Sequence, residues 1–297
     1  MPATPEIVAF FDEPTNTASY LVADPASGTA AVIDPVLDFD QASARIGSGS
    51  IEAILAAAAA RDWRIAIVLE THAHADHLSG AKLIAARTGA WIGIGADITA
   101  VQKTFAPLFG ATDLLPDGGD FDRLLHDGEA IALGTLAFTV MHTPGHTPAC
   151  VSYRIADAVF VGDTVFMPDY GTARADFPGG DAHALYRSIR RLLELPSDTR
   201  LFLCHDYKAP GRADYVWETT VAAQRAGNIQ AHDGIDEAAF VALRQARDAG
   251  LAPPKLLLPS IQVNIRAGRM PPGEGGAGPA LRLPLRADDP FAATLLS

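Results

Sequence analysis

The sequence predicts an α/β protein in which helices and strands are layered around one core. Short apolar runs typical of strands alternate with helical runs along most of the chain. No fixed-period repeat or long low-complexity tract interrupts this order. The composition is that of a globular protein, with 297 residues of which 48% are hydrophobic and 20% charged. These observations together favour one layered domain over an all-helical or repeat protein.

The first third of the chain predicts strands followed by alternating helices and strands. Strands are expected at 19–23 and 30–33, joined by a turn at 25–28 that contains Pro25 and Gly28. An Ala-rich helix is expected at 51–61, and the aliphatic run 64–69 suits a buried strand. Residues 78–88 are expected to form a helix that ends at Gly89.

The rest of the chain continues this alternation. Strands are predicted at 136–141, 150–155, 158–161 and 201–204, and helices at 182–195, 214–226 and 236–249. The Gly/Pro-rich stretch 270–279 is predicted to be a loop and not a domain linker. We therefore expect one domain over 1–297 with a C-terminal extension from about residue 250.

Charge and apolar patterning exclude several classes of partner. The net charge is −12 and no Lys/Arg cluster is present, so binding to nucleic acid or to an anionic membrane is not expected. The longest apolar run, 53–60, is far shorter than a membrane span. No residue before Arg45 is basic, which argues against a secretory signal, and Cys150 and Cys204 are too few for a disulfide framework. We expect a cytoplasmic protein.

The densest chemical signal follows the strand predicted at 64–69. His72, His74, Asp76 and His77 stand within six residues on a loop between a strand and a helix. Imidazole and carboxylate are ligands that suit zinc or iron, and a loop can turn them toward one point. The competing interpretation is a polar loop or helix cap, but a cap needs one Asp and not three flanking histidines.

Three further polar residues also stand just beyond the ends of predicted strands. His146 follows a tight Pro144-Gly145 turn, Asp163 follows Gly162, and His205 follows the strand at 201–204. Taken singly, each is compatible with a surface turn, a helix cap or a satisfied polar neighbour. Strand ends at one rim of a sheet bring side chains together, so the common position predicts a metal centre built from loops on a rigid scaffold.

The set of motifs resembles the metallo-β-lactamase superfamily signature. It consists of His72-Ala-His74-Ala-Asp76-His77 followed in order by His146, Asp163 and His205. This resemblance implies an αββα sandwich with the metal at one edge of two sheets. Within the superfamily the chain is most similar to the persulfide dioxygenase, or ETHE1-like, group. The matching stretches are THAHADH at 71–77, TPGHT at 143–147, RADF at 174–177 and HDY at 205–207, and Cys150 stands where that group tends to carry a cysteine. No residues are left over for a rhodanese domain.

The resemblance implies a single Fe(II) held by His72, His146 and Asp163. Two imidazoles and one carboxylate leave about three open octahedral positions, which suits non-haem iron oxygenases. The implied reaction oxidises glutathione persulfide with O2 to sulfite and glutathione, in sulfide detoxification, and a homodimer is expected. The residues given catalytic roles around the iron are Asp76, His77 and His205, with His74 beside them. Those given contacts with glutathione are Thr147, Arg174 and Tyr207.

The residues leave alternatives open. A dinuclear zinc hydrolase, of the glyoxalase II-like thioesterase or lactonase type, could use every donor. His72, His74 and His146 would then form one site, with the second site and the bridge supplied by Asp76, His77, His205 and Asp163. A metal-binding or sulfur-sensing module without turnover is a third reading, which the complete donor set disfavours.

Three smaller questions also stay open at this point. Arg174 could form a structural ion pair with Asp176 in place of a contact with glutathione. Cys204 could be inert packing or could react with persulfide. Residues 258–269 could line the pocket or a dimer contact.

Overall fold

Strands and helices alternate along residues 4–285, the part of the chain described by the structure, a computed structural model. The strands are β1 Glu6–Asp12, β2 Thr17–Asp24, β3 Thr29–Ile33, β4 Val36–Leu37, β5 Phe39–Asp40, β6 Arg45–Ile46, β7 Arg64–Leu69, β8 Leu78–Ser79, β9 Trp91–Gly95, β10 Arg123–Leu125, β11 Ala130–Leu133, β12 Leu136–His142, β13 Val151–Ile155, β14 Ala158–Phe160, β15 Arg200–Phe202 and β16 Glu218–Thr220. The helices are α1 Gly49–Ala59, α2 Ala81–Thr88, α3 Ile98–Phe105, α4 Ala182–Leu193, α5 Val221–Gly227, α6 Glu237–Asp248 and α7 Leu257–Asn264.

Two six-stranded sheets face each other at the centre. Their strand orders are β1-β2-β3-β7-β9-β10 and β11-β12-β13-β14-β15-β16. Alternate residues of one strand enter different layers: in β7, Ile67 and Leu69 pack between the sheets, whereas Val68 packs against helices. The same division holds in β14, where Phe160 faces the other sheet and Val159 faces helices.

Helices cover the outer face of each sheet. Buried residues of α1, α2, α3 and α7 pack on the first sheet, and those of α4 and α6 pack on the second. The αββα sandwich implied by the sequence is therefore confirmed.

Chain direction brings several strand ends to one edge. β3, β7 and β9 run parallel in the first sheet, and β14 and β15 run parallel in the second. β12 has the same direction as β14, because both pair antiparallel with β13. A bridge between Thr17 and His205 joins the two sheets at this edge. The segments that leave these strands carry the predicted metal ligands.

The predicted elements are largely confirmed, with two corrections. The helix predicted at 78–88 begins only at Ala81, because Leu78 and Ser79 pair with β4. The helix predicted at 214–226 begins at Val221, because residues 218–220 form β16 and pair antiparallel with β15. Besides β8 and β16, nine strands and α-helices of the described residues were not predicted: β1, β4, β5, β6, β9, α3, β10, β11 and α7.

The C-terminal part of the described chain packs on the first half of the sandwich. Ile261, Val263 and Ile265 join the core between the first sheet and its helices. The stretch 270–279 is a loop with one 3-10 turn, Glu274–Gly276, as predicted. Residues 286–297 of the predicted extension lie outside the described residues. No helix within residues 4–285 is long and apolar enough to cross a bilayer.

Candidate metal centre

Five imidazoles and two carboxylates meet at the edge where the strand ends converge. His72, His74, His77 and His205 are at most 1% exposed, while His146 and Asp163 are 6% and 7% exposed. The side chain of Asp76 is 22% exposed. The structure therefore brings together every metal ligand predicted from sequence, for either the mononuclear or the dinuclear arrangement.

One group of donors matches the predicted three-ligand site. Asp163 Oδ2 lies 3.6 Å from His146 Nε2 and 3.9 Å from His72 Nε2. The ligand atoms of these three residues all lie within 4.8 Å of one another. His74 does not belong to this group; it falls in separate groups with Asp76 and His77, with Cys204 and His205, and with Asp34 and Glu70.

A second set of donors lies on the other side of Asp163. His205 Nε2 is 3.3 Å from Asp163 Oδ1 and 3.3 Å from Asp76 Oδ2. His77 Nδ1 is 3.8 Å from Asp76 Oδ1. The two oxygens of Asp163 thus face different donor sets, which is the position that a bridging carboxylate would take.

The hydrogen bonding of the imidazoles fits a metal site. One nitrogen of each ring is held: Nδ1 of His72 lies 3.0 Å from Thr71 Oγ1, Nδ1 of His146 lies 2.8 Å from the carbonyl oxygen of Arg174, and Nδ1 of His205 lies 3.2 Å from that of Asn16. Buried atoms without a hydrogen-bond partner in the described residues include His72 Nε2, His74 Nδ1, His77 Nε2, His205 Nε2, Asp76 Oδ2 and Asp163 Oδ1. Such atoms are costly unless paired. A metal ion coordinated by these nitrogens and oxygens would satisfy them, and their partners set the ring orientations.

His74 is bound on its other side by acids. Its Nε2 lies 3.0 Å from Asp34 Oδ1 and 3.3 Å from Glu70 Oε2. Burial disfavours the imidazolium, but Asp34 outweighs burial and raises the pKa of His74 well above its ordinary value. His72 differs, because burial and the neighbouring imidazoles lower its pKa well below the ordinary value. A neutral His72 keeps a lone pair for a metal.

Two glycines fix the loops that carry His146 and Asp163. Gly145 has φ +142, and a Cβ there would lie 2.3 Å from the backbone of Leu185. Gly162 has φ +52, and its Cβ would lie 2.7 Å from the hydroxyl oxygen of Thr71. Both positions require glycine, so the turns inferred from sequence have a steric basis.

A residue that sequence reasoning missed supports the loop of the first four donors. Asn264, in α7, donates from Nδ2 to the carbonyl oxygens of His74 and His77, each at 2.8 Å. Its Oδ1 accepts the Ser79 N–H at 2.8 Å. The sequence left the role of segment 258–269 undecided, and the structure shows that its Asn264 is hydrogen-bonded to the loop that carries the first four donors. The available signal was a pair of amides, Gln262 and Asn264, beside the apolar residues of this helical run.

The predicted glutathione contacts have different outcomes. Tyr207 and Arg174 line a cavity of about 940 Å³ that reaches His146, Asp163 and Asp76. Thr147 differs from the prediction: it is fully buried, does not line this cavity, and places its hydroxyl 3.1 Å from Cys150 Sγ. Its side chain therefore faces the protein interior and not a substrate.

The guanidinium of Arg174 is engaged within the protein. Its Nε and Nη2 donate to Asp176 at 2.5 and 2.7 Å, and its Nη1 donates to the carbonyl oxygen of Ala252 at 2.8 Å. The ion pair that the sequence left open is thus present. Three of its nitrogen atoms therefore have partners within the protein.

The two cysteines are buried thiols. Burial raises the pKa of Cys150 to about 12 and also raises that of Cys204. Cys204 Sγ lies 3.7 Å from Asp34 Oδ2, beside the metal centre. Neutral, enclosed thiols react slowly, which favours packing over chemistry for both residues.

Aromatic rings form one wall of the cavity. The Tyr207 ring stacks on His205 with centroids 5.5 Å apart and lies 5.2 Å from the ring of Tyr170. Phe166 packs edge-on against Tyr207 at 5.7 Å. The wall therefore extends from the metal centre toward the cavity mouth.

Comparisons with known proteins agree with this fold. The metallo-beta-lactamase superfamily model matches residues 12–205. The chain is 50% identical over 292 residues to a protein of Burkholderia pseudomallei that is named as a probable metallo-hydrolase. This alignment covers 95% of this chain and 99% of that protein. It is 46% identical over 283 residues to a beta-lactamase hydrolase-like protein of Agrobacterium fabrum. That alignment covers 95% of this chain and 65% of the Agrobacterium protein. The crystal structure of ETHE1 from Myxococcus xanthus superposes with a TM-score of 0.72 at 29% identity, over 89% of this chain and all of that one. The chain belongs to the metallo-beta-lactamase superfamily.

Proposed function

We propose that this metallo-enzyme is a persulfide dioxygenase that uses one ferrous ion. Its substrate is glutathione persulfide, whose terminal sulfur is oxidised by O2 to sulfite with release of glutathione. The observation that carries the proposal is the group formed by His72, His146 and Asp163, whose ligand atoms all lie within 4.8 Å of one another. Two imidazoles and one carboxylate are the donor set of non-haem Fe(II) oxygenases. The likeness to ETHE1 over the whole length of that protein supports the same conclusion.

The protein's contribution begins with the orientation of the three ligands. The main chain of Arg174 holds His146, and the Thr71 hydroxyl holds His72, so that both Nε2 atoms face Asp163. Residues whose ring angles are fixed in this way bind a metal without further reorganisation. A ferrous ion, when bound, supplies open positions at which a sulfur and O2 can meet.

Protons released in the reaction need an acceptor. One persulfide, one O2 and one water give one thiol, one sulfite dianion and two protons, so the terminal sulfur is oxidised while O2 is reduced. His205 lies 3.3 Å from Asp76 Oδ2. Burial acts against a charged imidazole here, yet Asp76 raises the pKa of His205 well above its ordinary value. This pair can therefore hold a proton at His205 Nε2, next to the cavity wall.

The second candidate is a dinuclear hydrolase. It is favoured by Asp163, whose two oxygens face different donor sets, and by the hydrolase names of the relatives from Burkholderia and Agrobacterium. Two metal ions would then activate a water molecule for attack on a thioester or lactone.

Metal analysis combined with an oxygen electrode separates the two candidates. We expect about one iron per chain, with O2 uptake and sulfite formation on addition of glutathione persulfide. Two metal ions per chain, with hydrolysis of S-lactoylglutathione and no O2 uptake, would overturn the proposal.

Three variants sharpen this experiment. His146→Ala should lose bound iron, since three ligands become two. His142→Gln is the matched control on the same segment, because His142 bonds to Pro148 and Asp97 away from the donors. His77→Ala should keep one iron per chain in a mononuclear enzyme, whereas a dinuclear enzyme would lose one of its two ions.

A further inference from the structure

We propose that Arg247 and Lys255 form an anion-binding subsite in the cavity, which holds a carboxylate of the thiol carrier. This inference rests on the proposed function, since it names the groups that select the substrate at the same site. The ligand class is a low-molecular-weight acidic thiol peptide, with its sulfur at the metal centre and its carboxylate at the two cations.

The argument starts from the cations that line the cavity, which are Arg174, Arg244, Arg247 and Lys255. Two of them are already neutralised within the protein. Arg174 pairs with Asp176, and the buried Arg244 donates from Nε and Nη2 to Asp248 Oδ1 at 3.0 and 2.7 Å. Neither guanidinium is available to a ligand without the loss of a charge-assisted pair.

The other two cations differ. Arg247 and Lys255 are exposed, and neither pairs within 4 Å with a carboxylate of residues 4–285. Within the described part of the chain they are therefore positive charges without a carboxylate partner, on a protein with a net charge of −12. Because both side chains line the same cavity, an anion that enters it is attracted by both charges.

The aromatic wall connects these cations to the metal centre. The Arg247 guanidinium lies over the Tyr170 ring, 5.6 Å from its centroid. Tyr170 packs against Tyr207, which stacks on His205. A guanidinium that rests on a ring face keeps its N–H edge for a carboxylate. An extended ligand along this wall can thus present sulfur at one end and a carboxylate at the other.

The test is direct binding of an unreactive analogue to the metal-replete protein. Isothermal titration calorimetry with S-methylglutathione measures affinity without turnover. We expect Arg247→Gln and Lys255→Gln each to weaken binding about 10-fold, as for loss of a charge-assisted contact. Arg187→Gln is the control, because this exposed arginine of α4 pairs with Glu237 and does not line the cavity. Circular dichroism should show all variants folded, since the substituted side chains are on the surface.

A second ligand identifies the carboxylate. If Arg247 binds the glycine carboxylate, the wild type should bind the monoethyl ester of S-methylglutathione about 10-fold more weakly than S-methylglutathione itself. Arg247→Gln should then bind this ester with the same affinity as the wild type. If a variant also binds the ester more weakly than the wild type does, the substituted cation contacts the γ-glutamyl carboxylate, and this result also supports the subsite. Wild-type affinity for S-methylglutathione in both variants would overturn it. Failure of the dioxygenase proposal would appear separately, as absent O2 uptake in a wild type that still binds S-methylglutathione through Arg247.

Discussion

Asn264 offers a sharp test of how the metal loop is supported. Its side chain is 4% exposed and makes three hydrogen bonds of 2.8 Å to the segment that contains His74, His77 and Ser79. Asn264→Ala removes all three at once and leaves two carbonyl groups and one N–H without a partner. Since Ile261 and Val263 of α7 remain packed in the core, the helix should persist in the variant.

The size of the effect follows from these contacts. A net cost of about 1 to 1.5 kcal/mol per buried hydrogen bond gives roughly 3 to 4.5 kcal/mol for three bonds in the free energy of unfolding. The loop would also hold its donors less firmly. Loss of groups that orient metal ligands typically weakens metal affinity about 10- to 100-fold. We therefore expect two separable losses, one in stability and one in metal binding.

Gln262 supplies a matched control on the same helix. It too is buried and makes three hydrogen bonds, with the carbonyl oxygens of Leu258 and Arg282 and with the Arg282 N–H, at 2.8 to 2.9 Å. None of them touches the metal loop. Gln262→Ala should lower the free energy of unfolding by a similar amount but leave metal affinity unchanged.

The assays are urea denaturation of the metal-free proteins and competition for metal against a chelator of known affinity. The reasoning is refuted if Asn264→Ala and Gln262→Ala lose metal affinity equally. It is also refuted if Asn264→Ala binds metal as tightly as the wild type.

Three further predictions test other parts of the site and fold. Arg174→Ala should raise the KM for glutathione persulfide and leave bound iron unchanged, because the Arg174 side chain lines the cavity while the main-chain carbonyl that holds His146 remains. Wild-type kinetics would contradict this. Gly145→Ala should reduce iron retention, measured by elemental analysis, because a Cβ there collides with the Leu185 backbone. The Arg266 guanidinium holds the pKa of Asp113 below its usual range. The stability from this pair is therefore present above about pH 4 and is lost as the pH falls through the lowered pKa. In urea denaturation, the advantage of the wild type over Asp113→Asn should shrink in acid, and a gap that is constant with pH would contradict the assignment.

The sequence could predict the parts of the fold that repeat a local pattern. The aliphatic run 64–69 became β7 at the predicted residues, and Gly89 ends α2 in the left-handed conformation. The donor residues could be found because each follows a strand end, which is a local feature. These signals need no knowledge of distant residues.

The missed features depend on contacts between distant segments. Strand β16 forms because Thr219 lies opposite Leu201 in the register with β15, although the surrounding residues favour a helix. Asn264 donates a hydrogen bond to the carbonyl oxygen of His74, which lies 190 residues earlier in the chain. The sequence left Arg174 open between a ligand contact and an ion pair with Asp176, and its bond to Ala252, 78 residues away, is seen only in the structure. Local propensity has no access to such pairings.

The donors come from both sheets, and this has a consequence for exchange kinetics. His72 follows a strand of the first sheet, whereas His146 and Asp163 follow strands of the second. An ion held by all three would act as a cross-link at the open end of the sandwich. Release of the ion would then require the two sheets to separate transiently at this edge. The dissociation rate of the ion should therefore follow the rate of this local opening, and it should rise at denaturant concentrations well below those of global unfolding.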